Sequence, residues 1–178
     1  ENGTDVYVRI IDYKTGQKDF NIVKTYYGID IQLMVYMEAA MKLVATMRPG
    51  KNVIPAGVFY YNISDPIVSA TTESAEEIED KIKGELRLKG MVNSDKDIAE
   101  KMDNTEGTSL NIPVSRKADG GFDSRRSKVM NTEQFNMLGR FVDVRAIDTA
   151  DRIAGGDIRR SPYKDGQFSS CDRCPYGA

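Results

Sequence analysis

The chain has 178 residues, with 25 Lys and Arg against 27 Asp and Glu and a formal net charge of −2. This length suits one domain with a sizeable core, and a composition of 40% hydrophobic and 29% charged residues is typical of a globular protein. The balanced charge gives no global indication of nucleic-acid binding, because dedicated DNA-binding modules are usually clearly basic. The absence of histidine excludes Ser-His-Asp and Cys-His mechanisms and His-ligated zinc for these residues acting alone.

Nothing in the sequence indicates secretion or a membrane span. Residues 1–4 are polar and lack an initiator Met, and the longest apolar stretch, residues 29–47, is interrupted by three charged residues. Two cysteines, Cys171 and Cys174, are too few for the disulfide framework of a small secreted domain. We therefore expect a cytoplasmic protein, of which this chain is a piece cut at both ends.

The first half of the chain predicts a strand, a helix and a second strand. Residues 6–11 (VYVRII) are rich in β-branched and aromatic residues, which favours a strand. Apolar residues recur at helical spacing over residues 28–47, and Pro49 with Gly50 predicts the end of that helix. Residues 53–61 predict the second strand, with a proline near its start, where a missing N–H is tolerated.

The second half predicts mainly helices and loops. Residues 64–66 predict a turn, and capping-box spacing then predicts a helix over residues 74–88 with Gly90 as its C-cap. Residues 91–130 are polar and predict a short helix followed by irregular strands and loops. A second capping box predicts a long helix over residues 131–155. That helix carries apolar residues at helical spacing: Phe135, Leu138, Val142 and Ile153. The order of elements indicates a mixed α/β layer fold.

Asp12 and Lys14 stand at the end of the first predicted strand. Their spacing of two residues puts both side chains on the same face. Such a pair suits metal-assisted phosphodiester hydrolysis, in which the carboxylate holds a divalent cation and the lysine orients the nucleophile or offsets developing charge. By itself the pair favours the alternative interpretation, a solvated ion pair at a strand end.

Gln32 and Tyr36 lie four residues apart, which puts them on one helix face with Ile29 and Leu33. Polar side chains on an otherwise apolar face need hydrogen-bond partners if they are buried. A hydrogen-bonded pair in the core is therefore an alternative to a functional role.

These residues belong to segments that resemble a known family. Residues 11–16 (IDYKTG) and, after a short gap, residues 27–36 (YGIDIQLMVY) resemble two motifs of the RecB-type PD-(D/E)XK nucleases. The similarity runs in order over essentially the whole chain, which is far more specific than any single motif. Further segments resemble the AddB branch of that family in particular: residues 55–61, 65–66, 88–91, 153–156, 161–163 and 171–176.

The resemblance implies a restriction-endonuclease-like nuclease core, a mixed central sheet flanked by helices. It places the core motifs in residues 1–63, a family-specific helical and loop part in residues 64–160, and a cysteine-containing tail in residues 161–178. By the same resemblance, Asp12 and the backbone carbonyl of Tyr13 bind Mg²⁺ and Lys14 is catalytic. Gln32 and Tyr36 match the motif on the following helix that supports the active site or contacts DNA.

The resemblance also bears on the cysteines. By itself, the Cys171-x-x-Cys174 spacing suits half of a zinc site or a redox pair. In the family these two positions match two of the four ligands of a [4Fe–4S] cluster. Because no third cysteine is present, we expect no intact cluster on this chain alone.

A further metal-binding aspartate is expected upstream. The family carries it in a G-x-x-D segment before the strand of Asp12, and this chain begins too late to include it. Asp5 is not a substitute, because Asp12 lies seven residues further along the same strand, more than about 20 Å away. We therefore expect the parent protein to be a Mg²⁺-dependent deoxyribonuclease and the isolated chain to be inactive or nearly so.

The implied function is that of a DNA exonuclease domain in a bacterial helicase–nuclease. It would process double-strand breaks for homologous recombination, act on the 5′-ended strand, and work with an AddA-like helicase/nuclease subunit. The alternative is a non-catalytic iron–sulfur module that clamps DNA or the partner subunit. Retention of both Asp12 and Lys14 argues against that alternative.

A basic cluster flanks a glycine-rich loop and is a weak candidate for contacts to a DNA backbone. Asp119 and Asp123 dilute its charge, so a solvated loop is the favoured interpretation. The cluster comprises Arg116, Lys117, Arg125, Arg126 and Lys128.

Overall fold

A computed structural model of the protein describes residues 3–63, 65–66, 68, 74–166 and 168–175. Ser64, in the predicted turn, and Tyr176, in the last of the family-like segments, lie outside these residues.

The described residues form a four-stranded mixed sheet in the order β1-β2-β3-β4. β1 and β2 pair in parallel, β2 and β3 pair antiparallel, and β3 and β4 pair in parallel. The strands are β1 (Asp5–Lys14), β2 (Asn52–Asn62), β3 (Lys89–Asn93) and β4 (Val129–Met130).

Five helices accompany the sheet within the described part of the chain. They are α1 (Ile22–Tyr26), α2 (Gln32–Met47), α3 (Ala75–Glu85), α4 (Lys96–Met102) and α5 (Thr132–Ala154). None of these helices has both the length and the apolar character needed to cross a membrane. A short hairpin follows, β5 (Lys164–Asp165) and β6 (Phe168–Ser169), and then a 3-10 turn, Ser170–Arg173.

The sheet is buried on both faces because residues of β2 alternate between two cores. Val58 and Tyr60 pack with residues of α2 and α5, whereas Phe59 packs with α4 and the loop that follows it. On the first side lie Val8, Phe20, Leu33, Met34, Met37, Met130, Phe135 and Val142. On the second side lie Val92, Ala99, Ile112 and Val114. This arrangement confirms the predicted mixed sheet with flanking helices.

The predicted start of the long first helix is wrong. Gly28 has a φ of +78°, a left-handed conformation that favours glycine, and the helix begins only at Gln32. Ile29 therefore lies outside α2 and shares no helix face with Gln32.

Two further predictions need correction. Gly90 is not the C-cap of α3, which is Leu86; it lies inside β3, opposite Phe59 of β2. Ile153 is 72% exposed, because α5 continues beyond its last buried residue, Val142. Both predicted capping boxes are confirmed, at Ser74 and Asn131.

A buried carboxylate organises the loop after α4. Asp103 accepts hydrogen bonds from the Ser109 hydroxyl (2.6 Å), the Asn111 amide (2.9 Å) and the Thr105 backbone N–H (2.7 Å). Burial raises the pKa of Asp103, but the hydrogen bonds together outweigh it and lower that pKa to about 2, from an ordinary 3.8.

Asp103 should make the stability of the chain pH-dependent. Because its pKa is lower in the folded chain than in the unfolded one, its contribution is complete above pH ~4 and is lost as the pH falls through ~2. We expect Asp103→Asn to remove about 2 kcal/mol of pH-dependent stability. Urea denaturation of both proteins between pH 2 and 7 measures this. A stability difference that stays constant across that range would contradict the assignment.

Candidate active site

Four of the side chains singled out in the sequence form one continuous chain of contacts. The Lys14 ammonium lies 2.8 Å from Oδ2 of Asp12, on the same strand. It also donates a hydrogen bond of 2.9 Å to Oε1 of Gln32, on α2. The amide nitrogen of Gln32 in turn donates to the Tyr36 hydroxyl at 2.9 Å. The structure thus brings the strand pair and the helix pair to the same face of the sheet, while their catalytic roles stay predictions.

The strand positions its pair through simple alternation. Asp12 and Lys14 follow Val8 and Ile10 on the side of β1 that faces α2. β1 runs to Lys14, beyond the predicted end at residue 11, so both side chains project from a strand that is still paired with β2. This pairing fixes their separation.

The helix positions its pair by burying the residues beside it. Leu33, Met34 and Met37 are inaccessible against the sheet, which leaves Gln32 and Tyr36 along the flank of α2. Tyr36 is 46% exposed and Gln32 is half-buried, so the interpretation as a buried core pair is wrong. The pair lies at the edge of a surface that a ligand can reach.

Asp12 carries an unsatisfied acceptor. Its side chain is 18% exposed, and Oδ2 is buried and accepts no hydrogen bond within the described part of the chain. The contact with Lys14 is an ion pair that lacks hydrogen-bond geometry. Carboxylate oxygens are ligands that Mg²⁺ prefers, so the Asp12 carboxylate, whose Oδ2 contacts only the Lys14 ammonium among the described polar groups, fits one position of a magnesium site.

One carboxylate does not complete such a site. Among the described residues, no group of three or more His, Cys, Asp or Glu side chains is placed to hold a metal ion. The metal assignment therefore rests on Asp12, with the carbonyl of Tyr13 as the second ligand expected from the resemblance.

A buried network that the sequence analysis missed supports the start of α2. Asp30 is only 6% exposed, and its carboxylate accepts from the Tyr60 hydroxyl (3.2 Å) and pairs with the Lys18 ammonium (2.8 Å). The backbone carbonyl of Asp30 accepts from the Thr25 hydroxyl at 3.0 Å. Burial, and next the Asp30 charge, raise the pKa of Tyr60, so its phenol stays a donor.

This network lies directly beside the four-residue chain. Tyr60 is the strand partner of Asp12, and the Lys14 ammonium lies 5.5 Å from the centre of the Tyr60 ring. Asp30 precedes Gln32 by two residues. The hydrogen bond from Tyr60 of β2 to Asp30 therefore fixes the position at which α2 begins. The only signal in the sequence is a single carboxylate between Ile29 and Ile31, which interrupts an otherwise apolar stretch.

The Tyr60 hydroxyl should matter for stability. Tyr60→Phe removes one donor to a buried carboxylate, and we expect a loss of about 1–2 kcal/mol. Tyr61→Phe, one residue further along β2, is the matched control, since no hydrogen bond of its hydroxyl is seen in the described residues; its effect should stay within about 0.5 kcal/mol. Urea denaturation of both variants checks this, and equal midpoints would contradict a role for the network.

The two cysteines lie on one short turn. The Cys171 N–H donates to the Ser169 hydroxyl at 3.2 Å, and the Cys174 N–H donates to the Cys171 carbonyl at 3.1 Å. Both thiols are exposed and neither is in a disulfide. The turn thus presents two free cysteine side chains close together in the chain.

The basic cluster is partly engaged within the fold. The Arg116 guanidinium donates to the backbone carbonyls of Asp103 and Thr105, and Lys128 forms an ion pair with Asp19. These contacts give Arg116 and Lys128 a structural role. Contacts of the cluster to DNA stay a prediction.

Comparison with known proteins gives the class to which this fold and site belong. The family model of the PD-(D/E)XK nuclease superfamily matches residues 1–178. The chain therefore belongs to the PD-(D/E)XK nuclease superfamily, as its motifs predicted.

Its similar relatives carry a more particular name, the B subunit of the ATP-dependent helicase/deoxyribonuclease. The chain is 36% identical over 180 residues to the protein of that name from a Thermoanaerobacter species. It is 39% identical over 174 residues to the one from Clostridium botulinum, and 39% identical over 180 residues to the one from Caldanaerobacter subterraneus. These alignments cover 97–100% of the chain, which confirms the resemblance to the AddB branch. The chain spans 15% of the length of each relative.

Proposed function

We propose that this chain is the nuclease part of a helicase–nuclease that hydrolyses DNA at double-strand breaks, in a Mg²⁺-dependent reaction. The observation that carries the proposal is the contact chain from Asp12 through Lys14 and Gln32 to Tyr36, in a member of a nuclease superfamily. Relatives that are named as helicase/deoxyribonucleases support DNA as the substrate.

Each residue of the chain has a distinct task in this proposal. Asp12 would hold the cation through its carboxylate, whose Oδ2 accepts no hydrogen bond within the described residues, with the Tyr13 carbonyl beside it. A bound Mg²⁺ would supply Lewis-acid stabilisation of the phosphoryl group and a more acidic water. Lys14 orients the nucleophile or offsets negative charge on the phosphoryl oxygens. Gln32 holds the Lys14 ammonium in place, and the exposed Tyr36 phenol stands at the rim, where DNA would approach.

The wider assignment follows the relatives and the family resemblance. Because the relatives are named as one subunit of an enzyme, they imply a partner, which we propose to be an AddA-like helicase/nuclease subunit in the cytoplasm. We further propose that this nuclease cuts the 5′-ended strand during recombinational repair.

End-labelled duplex DNA tests this assignment in the intact protein with its partner subunit. We expect shortening of the 5′-ended strand in Mg²⁺ and none when the metal is chelated. Shortening of the opposite strand alone after the partner's nuclease has been inactivated would contradict the strand assignment. Cutting that persists in the presence of chelator would contradict metal dependence.

We also propose that Cys171 and Cys174 supply two of the four thiolates of a [4Fe–4S] cluster in the intact protein. The support is their exposure on a single turn, together with the family resemblance. The intact protein should show the visible absorption of an iron–sulfur cluster, and the double variant Cys171→Ser/Cys174→Ser should lose it. Stoichiometric zinc without visible absorption would instead indicate a zinc site.

A further inference from the structure

A cleft lies near the four-residue contact chain but is lined by none of its residues. Its volume is about 820 Å³, and its walls come from the segment before α2, the later turns of α5 and the residues that follow α5. The proposed chemistry does not use it, although Tyr27, Ile29 and Tyr163 of its lining lie in segments that resemble the family. Its charged and aromatic lining consists of Tyr27, Arg145, Arg152, Arg159, Tyr163 and Lys164, with Asp157 and Asp165.

The lining is positively charged although the chain is not. Four cationic side chains face two carboxylates there, whereas the whole chain has a net charge of −2. Asp157 pairs with Arg152 (2.9 Å) and Arg159 (2.8 Å), and both arginines remain substantially exposed. Arg145 and Lys164 form no ion pair with any of the described residues. The cleft therefore offers charge to an anionic ligand.

Two tyrosines stand among these cations. The ring centres of Tyr27 and Tyr163 are 5.1 Å apart, and the rings are tilted by 48° rather than stacked. Tyr27 is 53% exposed, so part of its ring is open to the cleft. Aromatic rings interleaved with cations are typical of sites for single-stranded nucleic acid, in which bases stack on the rings and cations follow the phosphates. Protein interfaces, by contrast, are depleted of charge at their centres.

The cleft lies close to the proposed active site. Ile29, which lines it, precedes Gln32 by three residues, a span of at most about 10 Å. A strand of a few nucleotides would bridge the cleft and the contact chain of Lys14 and Gln32.

We infer that this cleft binds single-stranded DNA beside the phosphate that is cut. Tyr27 and Tyr163 provide the stacking surface, and Arg145 and Lys164 contact the backbone. This inference rests on the proposed function and extends it by naming where the substrate strand runs.

The test uses the intact protein with a chelator, so that binding is measured without cutting. The probe is a 15-nucleotide oligothymidylate that carries photoreactive 4-thiothymidine, and cross-linked peptides are mapped by mass spectrometry. We expect cross-links in the segments of Tyr27 and Tyr163. Tyr27→Leu should lower the yield and weaken binding at this site about tenfold, whereas Tyr27→Phe should retain both. Arg145→Gln should weaken binding. It should also reduce the slope of log affinity against log salt concentration by about one, the amount expected for the loss of one phosphate contact.

Lys101→Gln is the control, because it removes one positive charge from α4, on the opposite side of the sheet. Cross-links that map elsewhere and do not change in the Tyr27 and Arg145 variants would overturn the inference. The inference would also be overturned if the variants kept the cross-links but no longer bound the partner subunit, because the cleft would then be a protein interface. Because no cutting is required, a failed nuclease assignment would not alter this measurement.

Discussion

Replacing Lys14 with alanine should lower the single-turnover rate of 5′-strand cutting by the intact protein about a hundred- to a thousandfold. The ammonium contacts both Asp12 and Gln32, and in the proposed function it offsets the negative charge of the reacting phosphate. Gln32→Ala leaves that charge but removes its anchor, so we expect a smaller loss, of roughly tenfold to a hundredfold.

The measurement is a rapid-quench assay on end-labelled DNA, with unwinding followed in parallel. Lys101→Ala serves as the control. Lys101, on α4, lies over the ring of Tyr7, which belongs to the same strand as Lys14 but projects from its opposite face. This substitution should therefore leave the cutting rate unchanged. If Lys14→Ala cuts as fast as the unaltered protein, the contact chain is not catalytic, and the alternative of a structural iron–sulfur module is favoured.

Gly90→Ala should unfold the chain or destabilise it by about 3 kcal/mol or more. A Cβ atom at this position would lie 1.9 Å from the Val58 carbonyl oxygen and 2.9 Å from Cα of Phe59. Both are backbone atoms of β2, so β2 and β3 would have to separate at the centre of the sheet. The separation would also disturb Tyr60, and with it the support of the active site.

Gly84→Ala provides a control of opposite sign. Gly84 lies within α3, and nothing is found within 4 Å of a Cβ built there. Alanine is the better helix former, so this variant should gain about 0.5–1 kcal/mol. Urea denaturation of the two variants measures the contrast. Equal midpoints would mean that the sheet relaxes at Gly90, contrary to the packing seen here.

The sequence predicted those parts of the fold that depend on short-range periodicity. Asp12 with Lys14, and Gln32 with Tyr36, could be paired because strand and helix spacing alone decide which side chains share a face. That the two pairs meet depends on α2 packing on the sheet, and the family resemblance supplied that expectation.

Several of the missed features depend on contacts between distant residues. Asp30 hydrogen-bonds to Tyr60, thirty residues later in the chain, and Gly90 is required by the backbone of β2 rather than by the end of α3. Ile153 continues a helical pattern past the end of the core, where spacing carries no information about burial. The cleft forms where the later turns of α5 meet the segment of Tyr27, and no local sequence pattern predicts it.

Two aspartates on β1 allow the most direct test of the central claim, that Asp12 is the metal-binding carboxylate of a nuclease site. Oδ2 of Asp12 is buried and accepts no hydrogen bond within the described residues, whereas Asp5, at the other end of the strand, accepts a hydrogen bond of 3.0 Å from the Asn52 amide. Mn²⁺ affinity, measured by electron paramagnetic resonance, and DNA cutting are compared in the intact protein for Asp12→Asn and Asp5→Asn. We predict that Asp12→Asn loses both metal affinity and cutting and that Asp5→Asn keeps both. Undiminished Mn²⁺ affinity and cutting in Asp12→Asn would contradict the assignment of this site.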